Sequence, residues 1–185
     1  MSSKTFTLIA ALAVILVSVQ PTSAANSYSV EEITAKAKGF FGDTTAGLAK
    51  AIEKAFKDHG QPNAFIEGEE VSGAIGVGLR YGNGMLNRKT AGPRKVYWQG
   101  PSIGWDFGGN ASKVFTLIYR LKEDRELFQR YPGVDGSIYV AAGIGVSYQQ
   151  SGNVVLAPIR TGVGLRAGAN VGYLHYSTKH SWLPF

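Results

Sequence analysis

Arg88, Lys89, Arg94 and Lys95 crowd around one short loop, and Trp98 follows three residues later. Guanidinium and ammonium groups pair with phosphate or carboxylate, arginine through a two-pronged fork. An indole face stacks on sugar rings or inserts among acyl chains. Together these residue types suit a rim that contacts an anionic or saccharide ligand. Trp105 and Asp106 extend the candidate site. Asp106 lies between Trp105 and Phe107; buried, it would need arginine or backbone amides as partners and its pKa would shift. On the solvent side of an alternating strand it would be an ordinary surface carboxylate.

Other chemistry finds less support. His59, His175 and His180 are too widely spaced for a zinc motif, so no metal site is read. Glu67 and Glu69 share one face of an extended strand with Glu70 opposite, the pattern of a solvated edge. There is no Gly-x-Ser-x-Gly elbow, and Ser102 has no histidine placed to activate it. No catalytic residue is assigned and no cofactor is implied.

The elements that must position these residues come from a chain of 185 amino acids with 24 glycines, 11% aromatics and no cysteine. Strands with tight turns tolerate that glycine–aromatic mixture better than a helical bundle does. Without cysteine there is neither a disulfide nor a thiolate metal site. The net charge is +6, but the cations are scattered rather than interleaved with aromatics in a block. Nucleic acid is therefore not expected as a partner.

Residues 1–25 read as a secretory signal peptide. Lys4 precedes the apolar stretch Phe6–Val19, and Gln20-Pro21-Thr22-Ser23-Ala24-Ala25 ends it with small residues. The apolar run falls short of the roughly 20 residues that span a bilayer, so no transmembrane span is expected after cleavage. The mature chain is expected to begin near Ala25 or Asn26, outside the cytoplasm.

Residues 26–62 read as a helical segment of the same domain. Ser29-Val30-Glu31-Glu32 is a capping box, followed by Ile33, Ala37, Phe40 and Phe41 on one face. Gly42-Asp43-Thr44 interrupts the helix and offers a second N-cap. Leu48, Ile52, Ala55 and Phe56 then recur at helical spacing until Gly60 and Pro62. Residues 63–185 read as a glycine-rich β body. Short strands are expected over Ala64–Glu70, Ser72–Tyr81, Gly84–Arg88, Lys95–Gln99, Ser102–Phe107 and Lys113–Leu121. Gly82-Asn83-Gly84 is read as a type I′ hairpin turn and Gly100-Pro101 as another turn. Further strands are expected over about 136–148, 153–161 and 163–177. The fold expected is mainly β: a small, roughly eight-stranded antiparallel barrel-like sheet with an N-terminal helical hairpin packed on it. Glycines of shared parity (Gly76 and Gly78; Gly143 and Gly145; Gly162, Gly164, Gly168 and Gly172) suit a barrel that bends sharply or lets layers approach closely. The terminal Trp182-Leu183-Pro184-Phe185 hints at an outer-membrane barrel, but Arg80, Arg120 and Arg166 interrupt the strands that would face lipid.

From the helical segment through YGNGML, WQGPSIGWDFGGNASKVFTLIY and GVGLRAGANVGYLHYS, the chain closely resembles the EipA family of exported envelope-integrity proteins of Gram-negative bacteria. The resemblance implies a periplasmic protein, a small β-barrel-like fold with helical additions, and a role in maintaining the cell envelope. It carries no catalytic residues to transfer. A more distant likeness runs through the Tyr81–Leu86 segment, Trp98 with Pro101, and Gly104, Phe107 and Gly108. These are similar to SYLF-type lipid-binding domains, although the Gly92–Lys95 loop is longer and basic here and Trp105-Asp106 intrudes on the glycine run. The reading is thus a non-enzymatic periplasmic protein that binds an envelope lipid or polysaccharide through Arg88, Lys89, Arg94, Lys95, Trp98, Trp105 and Asp106. Two other classes stay open: an envelope-modifying enzyme using Asp106, and a scaffold docking a protein partner at a sheet edge.

Overall fold

The computed structural model describes residues 26–42, 46–106, 111–134, 137–161 and 172–181, with backbone alone at 73–77 and 102–106. The expected signal peptide, the N-cap at 43–45, most of the Gly162–Gly172 series and the last four residues lie outside the described residues.

Helix α1 spans Val30–Phe41 and begins as its sequence dictates: the Ser29 hydroxyl accepts from the Glu32 amide while Glu32 reaches back to the Ser29 amide. Gly42, at φ 98°, ends it. Helix α2 spans Ala46–His59, with Leu48, Ala51, Ile52 and Ala55 buried on one side, and stops at Gly60, φ 76°.

Among the described residues there are nine strands: β1 (Ala64–Arg88), β2 (Ala91–Asp106), β3 (Ser112–Tyr119), β4 (Arg130–Pro132), β5 (Tyr139–Ala141), β6 (Ile144–Val146), β7 (Gln149–Ser151), β8 (Val154–Thr161) and β9 (Tyr173–Ser177). They form one antiparallel sheet in the order β4-β9-β2-β1-β3-β8-β6-β5, with β7 also paired to β8. A bridge between Gly133 and Gln149, with the Val134 amide donating to the Tyr148 carbonyl, joins the β4 end back to β7. The sheet therefore curls round on itself, in the barrel-like form expected.

Period-two alternation gives this sheet two buried faces. Phe65, Phe115, Leu117, Tyr119, Val155, Ala157 and Ile159 meet the helices. Ile66, Leu86, Val96, Trp98, Val114, Ile118, Leu156 and Tyr176 pack together on the other face, inside the curl.

Two expected turns, and the expected Gly92–Lys95 loop, fall within strands. Gly82-Asn83-Gly84 is not a turn: β1 runs unbroken through it, with Gly82 opposite Trp98 and Gly84 opposite Val96. The strand bends instead, bringing its two halves together inside the curl. A Cβ on Gly68 would stand 2.5 Å from the Asn83 carbonyl oxygen and 2.6 Å from the Trp98 ring. The bare backbone serves close approach, not reversal. Gly100-Pro101 likewise sits within β2, where a Cβ on Gly100 would stand 2.0 Å from the Tyr173 carbonyl oxygen. The chain reverses at Lys89-Thr90 and at Ala142-Gly143, which splits the strand expected over 136–148. There φ is 48° and 78°, the doubly left-handed geometry of a type I′ turn.

Candidate functional site

The site is built on the stretch where β1 and β2 pair around Gly82 and Trp98. Trp98 is only 2% exposed. Its indole lies against Gly82, whose added Cβ would stand 2.1 Å from Cε2, and stacks on Tyr176 at 5.7 Å and 29°. Its Nε1 donates to Glu70 Oε2 at 2.9 Å.

Glu70 is the best-held charge among the described residues. Arg160 donates from Nε to Oε1 at 3.0 Å and from Nη2 to Oε2 at 3.3 Å, and Arg80 Nε lies 3.2 Å from Oε1. Burial pushes this carboxyl up, but the Arg160 and Arg80 guanidiniums outweigh it and hold it below the usual glutamate range. So Glu70, expected on a solvated edge, is buried inside the curl. Its ionised carboxylate ties β1 to β2 through Trp98 and to β8 through Arg160. Three hydrogen bonds and a second guanidinium hold it as a structural anion.

The sequence-predicted rim divides. Arg88 Nη1 donates to Asp124 Oδ1 at 2.8 Å and Nη2 to the Lys122 carbonyl at 2.8 Å. Arg94 reaches Asp124 Oδ2 at 3.3 Å and lies 5.0 Å from the Phe128 ring centroid. Lys89 bonds Glu32 at 2.9 Å and sits over Tyr28. These three cations fasten the β1–β2 hairpin tip to the 122–128 segment and to the start of α1. Asp124 is correspondingly kept ionised: burial raises its carboxyl, and the two arginines more than reverse that. Lys95 lies apart from them, its ammonium 5.5 Å from the Tyr97 ring centroid. Trp105 and Asp106 occupy the far end of β2, opposite Ile75 and Ala74. Their side chains lie outside the described residues.

What the structure gathers near Trp98 is a different set. Antiparallel register places Tyr81 opposite Gln99 and Asn83 opposite Tyr97, so these four alternate positions share the face away from the indole. They border a groove of about 310 Å³. Glu69, Glu70, Val71, Trp98, His180 and Ser181 are also part of its lining. The His180 ring stacks on Tyr81 at 6.5 Å and 17° and stands edge-on to Tyr97 at 5.9 Å. The volume is at the small end of ligand sites, about 300–1,000 Å³. Flat rings beside amides and a carboxylate offer stacking and hydrogen bonding together. No group of three His, Cys, Asp or Glu residues able to hold a metal occurs among the described residues.

The comparison with known proteins is decisive for kinship. Residues 26–185 match the family model of envelope integrity protein A. The chain belongs to that family. A solved structure from Brucella abortus, described as a beta-barrel-like, uncharacterized protein, is 52% identical, with a TM-score of 0.80. The match covers 87% of this chain and all of that one, and agrees with the mainly β, barrel-like architecture. No curated protein matches the chain. No helix among the described residues is long and apolar enough to cross a membrane.

Proposed function

We propose that this member of the envelope-integrity family is a non-enzymatic periplasmic binding protein, and that its ligand is a saccharide segment of the envelope. The carrying observation is the groove beside Trp98, where Tyr81, Tyr97 and His180 meet the amides of Asn83 and Gln99 and the Glu69 carboxylate. Aromatic faces stack on the C–H faces of sugar rings while planar amides and carboxylates bond the hydroxyls. A saccharide is favoured over an anionic lipid because three cations of the expected rim, Arg88, Lys89 and Arg94, already hold Asp124 and Glu32.

Periplasmic residence is supported by the N-terminal signal pattern. The family match begins at residue 26, directly after that segment. A non-enzymatic role is supported by Glu70, the buried carboxylate at the groove, being engaged by two arginines and an indole.

The test is an NMR titration of the labelled mature chain with three probes. They are the N-acetylglucosamine–N-acetylmuramic acid disaccharide, oligosaccharide released from purified lipopolysaccharide by mild acid, and vesicles of anionic phospholipid. The saccharide reading expects one of the first two to shift Tyr81, Asn83, Tyr97 and the Trp98 indole. Shifts confined to Arg88–Lys95 with vesicles alone, or no shift with either saccharide, would overturn it.

A further inference from the structure

The sheet face that carries the groove continues past it in both directions. In register, Leu79 stands opposite Pro101, Tyr81 opposite Gln99, Asn83 opposite Tyr97 and Met85 opposite Lys95, so alternation puts all eight on one face. The two ends differ. Leu79 and Pro101 are apolar, and Leu79 is exposed. At the other end Lys95 is exposed, with its ammonium 5.5 Å from the Tyr97 ring centroid and drawn to the negative face of that ring. Arg88, Lys89 and Arg94 are taken by Asp124 and Glu32, whereas Lys95 has no carboxylate partner among the described residues. The β2–β9 ladder stops at Tyr97 and Ser177, and Lys95 and the exposed Lys179 each stand two residues beyond that point. Glu69 lines the groove itself and repels an acid group placed beside it. The end beyond Tyr97 is the one that accepts negative charge.

We infer that the groove selects an acidic saccharide, one bearing a carboxylate or phosphate on the sugar that meets Tyr97, and that Lys95 reads this charge. The inference rests on the saccharide reading and names the class within it. It also gives the ligand a direction, with the acid group toward Met85 and Lys95 and the uncharged part toward Leu79 and Pro101. Ring contacts and amide hydrogen bonds hold neutral and acidic sugars alike. Lys95 is therefore the residue that tells them apart.

The experiment is calorimetry with two matched pairs of probes. One pair is the N-acetylglucosamine–N-acetylmuramic acid disaccharide and the same disaccharide with its carboxylate converted to a carboxamide. The other is lipopolysaccharide-derived oligosaccharide before and after removal of its phosphates. The first pair reads a carboxylate and the second a phosphate. In low salt the unaltered mature chain should bind the more acidic member of at least one pair about two- to fivefold tighter, the weight of one exposed ion pair. The difference should shrink as salt is added. Lys95→Gln should lose most of that preference while binding the less acidic member as the parent does, and adding Lys179→Gln should remove the remainder. Equal binding within both pairs, or a Lys95→Gln protein that keeps the full preference, overturns the charge inference and leaves the groove as the binding site. Absence of binding to all four probes overturns the groove reading and this inference with it.

Discussion

Replacing Gly82 with alanine is the sharpest probe of how this barrel is held. The new Cβ would stand 2.1 Å from Trp98 Cε2 and 2.4 Å from both Cζ2 and Nε1. That ring cannot slide away freely, because Tyr176 lies 5.7 Å behind it and Glu70 binds its Nε1 at 2.9 Å. Overpacking a closed core costs about 1–3 kcal/mol. Losing a hydrogen bond to a charged, buried acceptor adds about 1.5–3 kcal/mol. The expected loss is therefore about 2.5–6 kcal/mol, read from urea unfolding followed by circular dichroism and indole fluorescence. Gly92→Ala is the control, since nothing lies within 4 Å of its added Cβ, and it should stay within about 0.5 kcal/mol of the parent. Combining Gly82→Ala with Trp98→Phe should cost less than the two changes added together, because the smaller ring vacates the contact. A Gly82→Ala protein as stable as the Gly92→Ala control would refute the packing argument.

Glu70→Ala should cost about 3–5 kcal/mol by leaving Arg80 and Arg160 without their shared carboxylate. Because the folded carboxyl of Glu70 is depressed below its unfolded value, its contribution is full above the ordinary glutamate value of about 4.3 and is lost as the pH falls from there through the folded value. Thermal melts of Glu70→Gln from neutral pH downward should accordingly show a shallower acid limb than the parent. Asp124→Ala frees Arg88 and Arg94 and should cost about 1–2 kcal/mol, with faster amide exchange at the Lys89-Thr90 turn by hydrogen-exchange mass spectrometry. Gly39→Ala, inside α1 with open space around its added Cβ, should raise stability by about 0.5–1 kcal/mol in the same urea assay.

The helices and the sheet class were legible because their signals are local. The capping box at Ser29, the helical spacing of Leu48, Ile52 and Ala55, and the apolar run Val114–Leu121 each report on a few neighbouring residues. Family membership was readable from long stretches of residue identity. The roles of Gly82-Asn83-Gly84 and Gly100-Pro101 were not, because glycine carries two meanings. At Gly82 and Gly68 it makes room for an indole from another strand, and at Ala142-Gly143 it permits left-handed backbone. Only long-range packing tells these apart.

The candidate site was partly readable for the same reason. Trp98 stood out by type, but its burial against glycine depends on pairing with Gly82. Once that pairing is known, the flanking residues Tyr81, Asn83, Tyr97 and Gln99 fall together on the opposite face by alternation alone. The ion pairs of Arg88 and Arg94 with Asp124, and of Glu70 with Arg160, join residues 30 to 90 positions apart. His180, far from both strands in sequence, gave no signal beyond being a histidine near the end.

The central claim is that the Tyr81–Tyr97 groove binds an envelope saccharide. Calorimetric titration of a Tyr81→Ala, Tyr97→Ala double variant with lipopolysaccharide-derived oligosaccharide tests it most directly, with circular dichroism confirming the fold. Both rings lie on the face away from the indole core, so the barrel should persist while affinity drops by at least about tenfold, the weight of two aromatic stacking contacts. A folded double variant that binds the oligosaccharide as tightly as the parent would contradict the account.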